Sequence, residues 1–432
     1  MRSDGSVLAA LRGTRPRLDR LLPTGGLWSH ATRIGWPLID QGIASVGTFA
    51  LAVTLARILT PEDYGVFVLL LAGLNVVGLV SGSLIFYPLA VRFSGDEAQG
   101  GALMATCLVF LAGLCATGCL LVGLALAAVE RPEFILPSCA YLCAWQIQEA
   151  FRRYLFVQTR FAAAIPGEIL SYLGQLPLLL VLARYEMLSL TTILLAMALT
   201  SAVAAVQQAI SSGLFARARP IASTRAIARD FWALGSWSLA NNLLSIGRVQ
   251  MLLWGLAALA GASAPARFQA AMNLVNVVNP LVIGLCNVIP QTAARAHGQG
   301  KASAWRAARV FALAGAPIAG LFFLGLLVFP AEALRLVYGP GSPYLDLVVT
   351  VRLLALTALA AYSTDMICSY FHGIEAARHA LTVNAAGTLT ALALGLPLTA
   401  AYGITGACIA LGIAGVVRLI LSHRMLDRLV AA

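Results

Sequence analysis

Charged side chains are scarce in this sequence, where Asp, Glu, Lys and Arg make up 11% of the 432 residues. A soluble domain carries about a quarter of such residues. Hydrophobic residues make up 60% and the mean hydropathy is +0.85, which excludes an ordinary soluble protein. Apolar runs of 20–26 residues predict transmembrane helices, because a helix satisfies its own backbone in lipid. The short alternating segments of a membrane barrel are missing.

The sequence also lacks long loops and metal-binding motifs, and these absences exclude several classes of function. No stretch between predicted spans exceeds about 25 residues, which leaves no room for a soluble catalytic domain, and we expect no enzyme activity. The eight cysteines lie in apolar runs without CxxC or Cys/His spacing, so they are interpreted as packing residues. His372-x-x-Glu375-x-x-x-His379 lies in a tight predicted turn and does not predict a metal site. No cofactor is therefore expected.

Residues 1–33 hold six arginines and precede any apolar run of signal-peptide length. We interpret them as an uncleaved cytoplasmic tail, with a surface helix around Val7–Leu22. Residues 426–432 are interpreted as a second cytoplasmic tail.

Twelve transmembrane helices are predicted along the chain. They lie at about 34–56, 65–90, 102–128, 134–155, 164–183, 188–210, 233–258, 268–291, 307–329, 350–371, 378–399 and 402–422. Alternate connections then carry 22 basic residues, including Arg418 with the C-terminal tail, against 5 on the opposite side. This asymmetry accounts for the net charge of +11 without nucleic acid. It predicts a multi-pass protein of the bacterial cytoplasmic (inner) membrane with both termini in the cytoplasm.

An internal repeat divides the spans into two halves. A shift of 201 residues aligns WPLIDQ (36–41) with WSLANN (237–242), and LNVVGL (74–79) with VNVVNP (275–280). Six spans per half give parallel repeats, with a site expected at the interface between them. The predicted lobes are 34–210 and 233–425, joined by the cytoplasmic linker 211–232.

Several polar residues interrupt the predicted spans, where ionisable groups are costly and mark functional cavities. The substrate-binding candidates are Arg248, Asn241, Asn242, Ser245, Gln41, Asn276, Arg152 and Arg153, and the ion-coupling candidates are Asp40, Glu149 and Asp365. Asn241, Ser245 and Arg248 share one helix face. Asp40 and Gln41 align with Asn241 and Asn242 in the repeat, whereas Arg248 aligns with a glycine.

These residue types suit an anionic, sugar-rich ligand, because arginine forks onto phosphate oxygens while amides and hydroxyls bind sugar hydroxyls. The carboxylates could exchange protons or bind Na⁺. Two other interpretations stay open. The amides and serines could simply join helices, and the charges could pair only for stability.

Three segments resemble a known family. They are FALAVTLARILTPEDYGVFVLL (49–70), ALRLVYGPGSPYLDLVVTVRLLAL (333–356) and LPLTAAYGITGACIALGIAGVVRLIL (396–421). They resemble bacterial polysaccharide transporters, the O-antigen-type lipid-linked oligosaccharide flippases of the multidrug/oligosaccharidyl-lipid/polysaccharide exporter superfamily. The stretch 57–65 is the most specific, and we interpret it as a structural helix-to-helix turn.

The resemblance implies an all-α, V-shaped bundle of two six-helix lobes. Such a bundle would move undecaprenyl-pyrophosphate-linked oligosaccharide to the outer leaflet for surface polysaccharide or exopolysaccharide export, by alternating access. Its partners would be the glycolipid, membrane lipid, H⁺ or Na⁺, and polysaccharide assembly proteins. The rivals are a cation-coupled multidrug exporter, a membrane polysaccharide polymerase or ligase, and a non-transporting scaffold.

Overall fold

The computed structural model of the protein describes residues 27–93, 97–214 and 224–431. The predicted surface helix Val7–Leu22, most of the basic tail and the middle of the linker 211–232 lie outside these ranges. The described residues form helices and no strands. In chain order the helices are α1 Leu27–Ile58, α2 Pro61–Arg92, α3 Glu97–Ala128, α4 Ile135–Val157, α5 Phe161–Arg184, α6 Leu190–Ser212, α7 Thr224–Ser245 with Gly247–Ala260, α8 Ser263–Gln299, α9 Lys301–Val328, α10 Pro330–Tyr338, α11 Val348–Gly373 and α12 Ala377–Ala431.

The predicted all-α membrane fold is confirmed. Within the described ranges, nine helices are long and apolar enough to cross a membrane, or ten if broken α7 is one span. The polar helix α4 is outside that set. The 55-residue α12 counts once, although Gly403 interrupts it with a φ of 57°. Adding α4 and dividing α12 at Gly403 reproduces the twelve predicted segments of this multi-pass protein.

The internal repeat is visible in the helix boundaries. Helix α1 ends at Ile58 and its counterpart α7 at Ala260, while α2 begins at Pro61 and α8 at Ser263. Each pair is 202 residues apart, one more than the sequence offset. Phe67 and Phe268, which the sequence aligns, are both buried.

The described chain forms two compact units. The first contains the chain up to Thr48 and Gly73–Asn242, and the second contains Phe49–Ala72 and everything from Leu243 onward. The end of α1 and the start of α2 therefore group with the C-terminal helices, and the first part of α7 groups with the N-terminal helices. The lobe boundaries 34–210 and 233–425 remain a prediction.

The α1–α2 turn at 57–65 is built as a structural element of the second unit. Thr60 Oγ1 accepts a hydrogen bond from the Asp63 backbone N–H at 3.1 Å and caps the start of α2. Arg57 Nε donates to the Val337 carbonyl at 2.7 Å, and Tyr64 Oη accepts from Asn273 at 3.2 Å. A Cβ at Gly65 would lie 1.8 Å from the Ala262 carbonyl oxygen. This contact explains why the turn ends in glycine.

Candidate functional site

Arg152 is the centre of a buried charge cluster in the first unit. Its Nη2 lies 2.5 Å from Asp40 Oδ2, its Nη1 lies 2.8 Å from Glu149 Oε2, and its Nε lies 3.3 Å from Glu168 Oε1. The guanidinium also lies 5.0 Å from the ring centroid of Phe156. The structure thus brings together two predicted coupling residues, Asp40 and Glu149, and commits the donors of Arg152 to carboxylates.

The two adjacent arginines of α4 differ in environment. The Arg152 side chain is 10% exposed and that of Arg153 is 48% exposed. Arg153 pairs with Glu149, with Nε 2.6 Å from Oε1. Three carboxylates (Asp40, Glu149 and Glu168) face two guanidinium groups, so the cluster has a formal charge of −1.

Glu168 is a member of this cluster that was not predicted from the sequence. It is fully buried, and its Oε1 accepts from Gln148 Nε2 at 2.7 Å. Its Oε2 is buried and finds no partner among the described residues. A π-helical turn, Ile169–Leu173, follows directly and presents Ser171, which donates to Gln148 at 3.1 Å. A carboxylate within the predicted span 164–183 was the signal that could have found it.

A cavity of about 170 Å³ lies within the second unit, between helices α7, α8, α9, α11 and α12. Its polar lining comes from Arg248, Asn276, Asn279, Thr357, Tyr362, Asp365 and Arg418, and the rest is largely apolar. Two guanidinium groups face one carboxylate, a formal charge of +1. The predicted candidates Arg248, Asn276 and Asp365 therefore line one space, and that space is cationic.

Arg418 was counted with the basic tail, but the structure buries it at 4% exposure. Its Nη2 donates to Asp365 Oδ1 at 3.0 Å and to Asn384 Oδ1 at 3.1 Å. A Cβ at Gly387 would lie 2.4 Å from Cγ and Cδ of Arg418, so this glycine makes room for the side chain. Arg418 lies close to the end of the predicted last span, so the sequence alone assigned it to the positive-inside charges of the cytoplasmic tail.

Both cavity arginines keep unused donors. Nη1 of Arg248 and Nε of Arg418 are buried, and neither has a hydrogen-bond partner among the described residues. A buried donor without a partner costs about 1–3 kcal/mol, and more when charged. Such groups point to a ligand or ion with acceptor oxygens.

The other predicted residues are distributed between the units. Gln41 Nε2 donates to Ser45 at 3.3 Å, and Asn242 Nδ2 donates to Ser83 at 3.0 Å. Both contacts lie in the first unit, to which Asn241 also belongs, whereas Ser245 belongs to the second unit with Arg248. The polar stripe predicted on α7 is therefore divided between the two units.

Solved structures identify the fold. A multidrug resistance transporter of the MATE family, a member of the MOP superfamily in an inward-facing conformation, matches with a TM-score of 0.69 and 15% identity, over 91% of this chain and 95% of that chain. This chain shares the fold of that transporter. A MOP-superfamily transporter from Pyrococcus furiosus matches with a TM-score of 0.65 and 16% identity, over 93% and 96% of the two chains. The lipid II flippase MurJ, in an inward closed conformation, matches with a TM-score of 0.63 and 10% identity, over 90% of this chain and 87% of that chain.

No family model and no curated protein sequence matches the chain. At 10–16% identity these matches show the fold alone. Among the described residues, no three His, Cys, Asp or Glu side chains are grouped to hold a metal ion.

Proposed function

We propose that the chain is a flippase. It translocates undecaprenyl-pyrophosphate-linked oligosaccharide across the cytoplasmic membrane for surface polysaccharide or exopolysaccharide export, by alternating access and without covalent chemistry. The proposal builds on the fold, which the lipid II flippase MurJ also has, and on the three sequence segments that resemble polysaccharide transporters.

The observation that carries the proposal is the cationic cavity of the second unit. Arg248 and Arg418 line it together with the amides of Asn276 and Asn279. An arginine at membrane depth is costly and is retained where it meets a counter-ion or a ligand. The same lining favours an anionic, hydroxyl-rich headgroup over a lipophilic cation.

The carboxylate cluster of the first unit is proposed to couple transport to an ion gradient. Asp40, Glu149 and Glu168 leave one negative charge in excess over Arg152 and Arg153. A buried excess charge is neutralised by a proton or a cation, and the gradient of that ion would then bias the transport cycle. Asp365 lies in the second unit's cavity, where arginines outnumber carboxylates, so we assign the coupling role to Asp40 and Glu149 of the cluster with excess negative charge.

A reconstituted transport assay tests the function. Purified protein in proteoliposomes should move a fluorescent undecaprenyl-pyrophosphate-linked oligosaccharide between leaflets, as measured by its accessibility to a membrane-impermeant quencher. Empty liposomes give the spontaneous rate. A rate equal to that of empty liposomes, from protein that is folded and monodisperse, would exclude the flippase.

A cation-coupled multidrug exporter is the second candidate. The excess negative charge of the carboxylate cluster in the first unit favours an exporter of cations. The fold shared with a multidrug resistance transporter also favours it. Gradient-driven efflux of a cationic dye from the same proteoliposomes, without glycolipid movement, would establish this alternative.

A further inference from the structure

The two polar clusters differ in one physical respect. In the first unit, Arg152 contacts a carboxylate through each of its three nitrogens. In the second unit, Arg248 and Arg418 line a cavity, and each retains a buried N–H nitrogen that finds no partner in the described part of the chain. The first cluster commits every nitrogen of its buried arginine to carboxylates and leaves an acceptor, Glu168 Oε2, unused within the described ranges. The second cluster has unused donors and space beside them.

We propose that the cavity of the second unit is a binding site for a phosphoryl oxyanion, held between Arg248 and Arg418. Asp365 is the internal counter-ion that this ligand displaces from Arg418. The oxyanion site itself follows from the cavity geometry. Only the assignment of the ligand to a lipid-linked diphosphate headgroup rests on the proposed function.

The donor set selects a polyoxygen anion. A guanidinium forks two parallel hydrogen bonds onto phosphate oxygens, and the two unpartnered nitrogens belong to different arginines on α7 and α12. The amides of Asn276 and Asn279 line the same space and add further donors. A phosphoryl group presents three or more oxygens and can accept from donors on different helices, whereas a monatomic anion offers a single centre and gains nothing from the forked geometry of a guanidinium.

The size of the cavity limits what enters it. At about 170 Å³ it offers on the order of ten times the space needed to hold one water. This accommodates a phosphate or diphosphate and excludes an oligosaccharide. The site would therefore receive only the anionic part of a larger ligand, with the glycan and the lipid outside it.

Asp365 competes with the ligand for Arg418. Its carboxylate lies 3.0 Å from Arg418 Nη2, and its side chain is 37% exposed, against 5% for Arg418. The arginine is thus fixed among its neighbours, with Asn384 as a second acceptor, while the carboxylate has the freedom to leave. Removal of the carboxylate charge should therefore strengthen binding of the oxyanion. The opposite sign is expected if the cavity binds a cation.

Binding of inorganic phosphate and pyrophosphate to the full-length protein in detergent, measured by calorimetry, tests the site. Charge-assisted hydrogen bonds contribute about 1.5–3 kcal/mol each, so Arg418→Gln and Arg248→Gln should each weaken binding about ten- to a hundred-fold. Asp365→Asn should strengthen it several-fold. Arg352→Gln is the matched arginine control, because its Nε donates to the Leu327 carbonyl and it does not line the cavity. It should bind as the wild type does.

Two glycine variants keep the proposal testable if the arginine variants fail to fold. Gly387→Ala should weaken pyrophosphate binding by pushing Arg418 from its position, without removal of any charge. Gly320→Ala is the control, because a Cβ there meets nothing within 4 Å. Unchanged binding in Arg418→Gln and Gly387→Ala, or weaker binding in Asp365→Asn, overturns the proposal.

Competition with a short polyprenyl diphosphate distinguishes the two sources of the oxyanion. Displacement of pyrophosphate from the wild-type protein by the lipid, together with weaker direct binding of the lipid to Arg418→Gln, assigns the site to a lipid headgroup. Binding of the inorganic anion alone assigns it to free phosphate. Glycolipid transport by wild-type protein that binds no pyrophosphate would refute this site but not the flippase. Arg418-dependent binding without any glycolipid transport would refute the flippase but not the site.

Discussion

Substitution of Arg152 should destabilise the first unit far more than substitution of its neighbour Arg153. Arg152→Gln leaves Asp40, Glu149 and Glu168 without their shared counter-ion, and these side chains are 1%, 15% and 0% exposed. Loss of one partner of a buried ion pair costs about 3–5 kcal/mol, because the remaining charge is uncompensated. We therefore expect the free energy of unfolding to fall by about 3–5 kcal/mol.

Arg153→Gln is the matched control. It removes an arginine from the same helix and from the same partner, Glu149, at a similar N–O distance of 2.6 Å. Because Arg153 is 48% exposed, its pair is worth only about 0.2–1 kcal/mol. The two variants therefore remove the same charge and differ in how deeply the arginine is buried.

Unfolding in mixed micelles, followed by tryptophan fluorescence over an SDS titration, measures both free energies. The double variant Asp40→Asn/Arg152→Gln should be less destabilised than the sum of the single changes, with a coupling of about 0.5–3 kcal/mol. Equal stability of the two single arginine variants would refute the buried-cluster reasoning. Strict additivity would show that Asp40 and Arg152 do not interact.

Three further changes have distinct expected outcomes. Arg248→Ala should abolish glycolipid export while protein abundance stays normal, since it removes a donor from the cavity; normal surface polysaccharide in cells with this variant would exclude Arg248 from the mechanism. Asp40→Asn should weaken gradient-dependent transport in proteoliposomes, because it removes the excess negative charge; unchanged coupling would leave Asp40 as a structural partner of Arg152. Gly65→Ala should destabilise the second unit by about 1–3 kcal/mol, because its Cβ would meet the Ala262 carbonyl. Gly42→Ala, where a Cβ meets nothing within 4 Å, should be neutral or stabilising, and equal melting temperatures of the two glycine variants would contradict the close approach at Gly65.

The sequence alone predicts the spans well, because each depends on local composition. The repeat offset also carried over to the helix boundaries within one residue. Helix α4 is the instructive element. Its apolar first half predicted a span, but its polar second half makes the helix as a whole too polar to count among those apolar enough to cross a membrane.

The residues that form the two sites were harder to predict than the positions of the spans. Asp40, Arg248 and Asp365 were found because a charge inside an apolar run is conspicuous. Which charges meet was not predictable, since Asp40 and Arg152 are 112 residues apart and their pairing depends on how helices pack. Glu168 lies inside the predicted span 164–183 and gave the same signal, but it was overlooked. Arg418 was missed because a basic residue close to a span end has an ordinary explanation.

The exchange of segments between the two units has a consequence for biosynthesis. The hairpin 49–72 is translated early, yet the unit that contains it is completed only by residues from Leu243 onward. The first unit likewise needs Thr224–Asn242, which follow its sixth helix in the chain. A cut between Ser212 and Thr224 would therefore yield two fragments, each of which lacks a segment of its own unit. Such fragments should mature only when they are made together in one membrane, and a ribosome that stalls before residue 243 would leave the early hairpin without its packing partners.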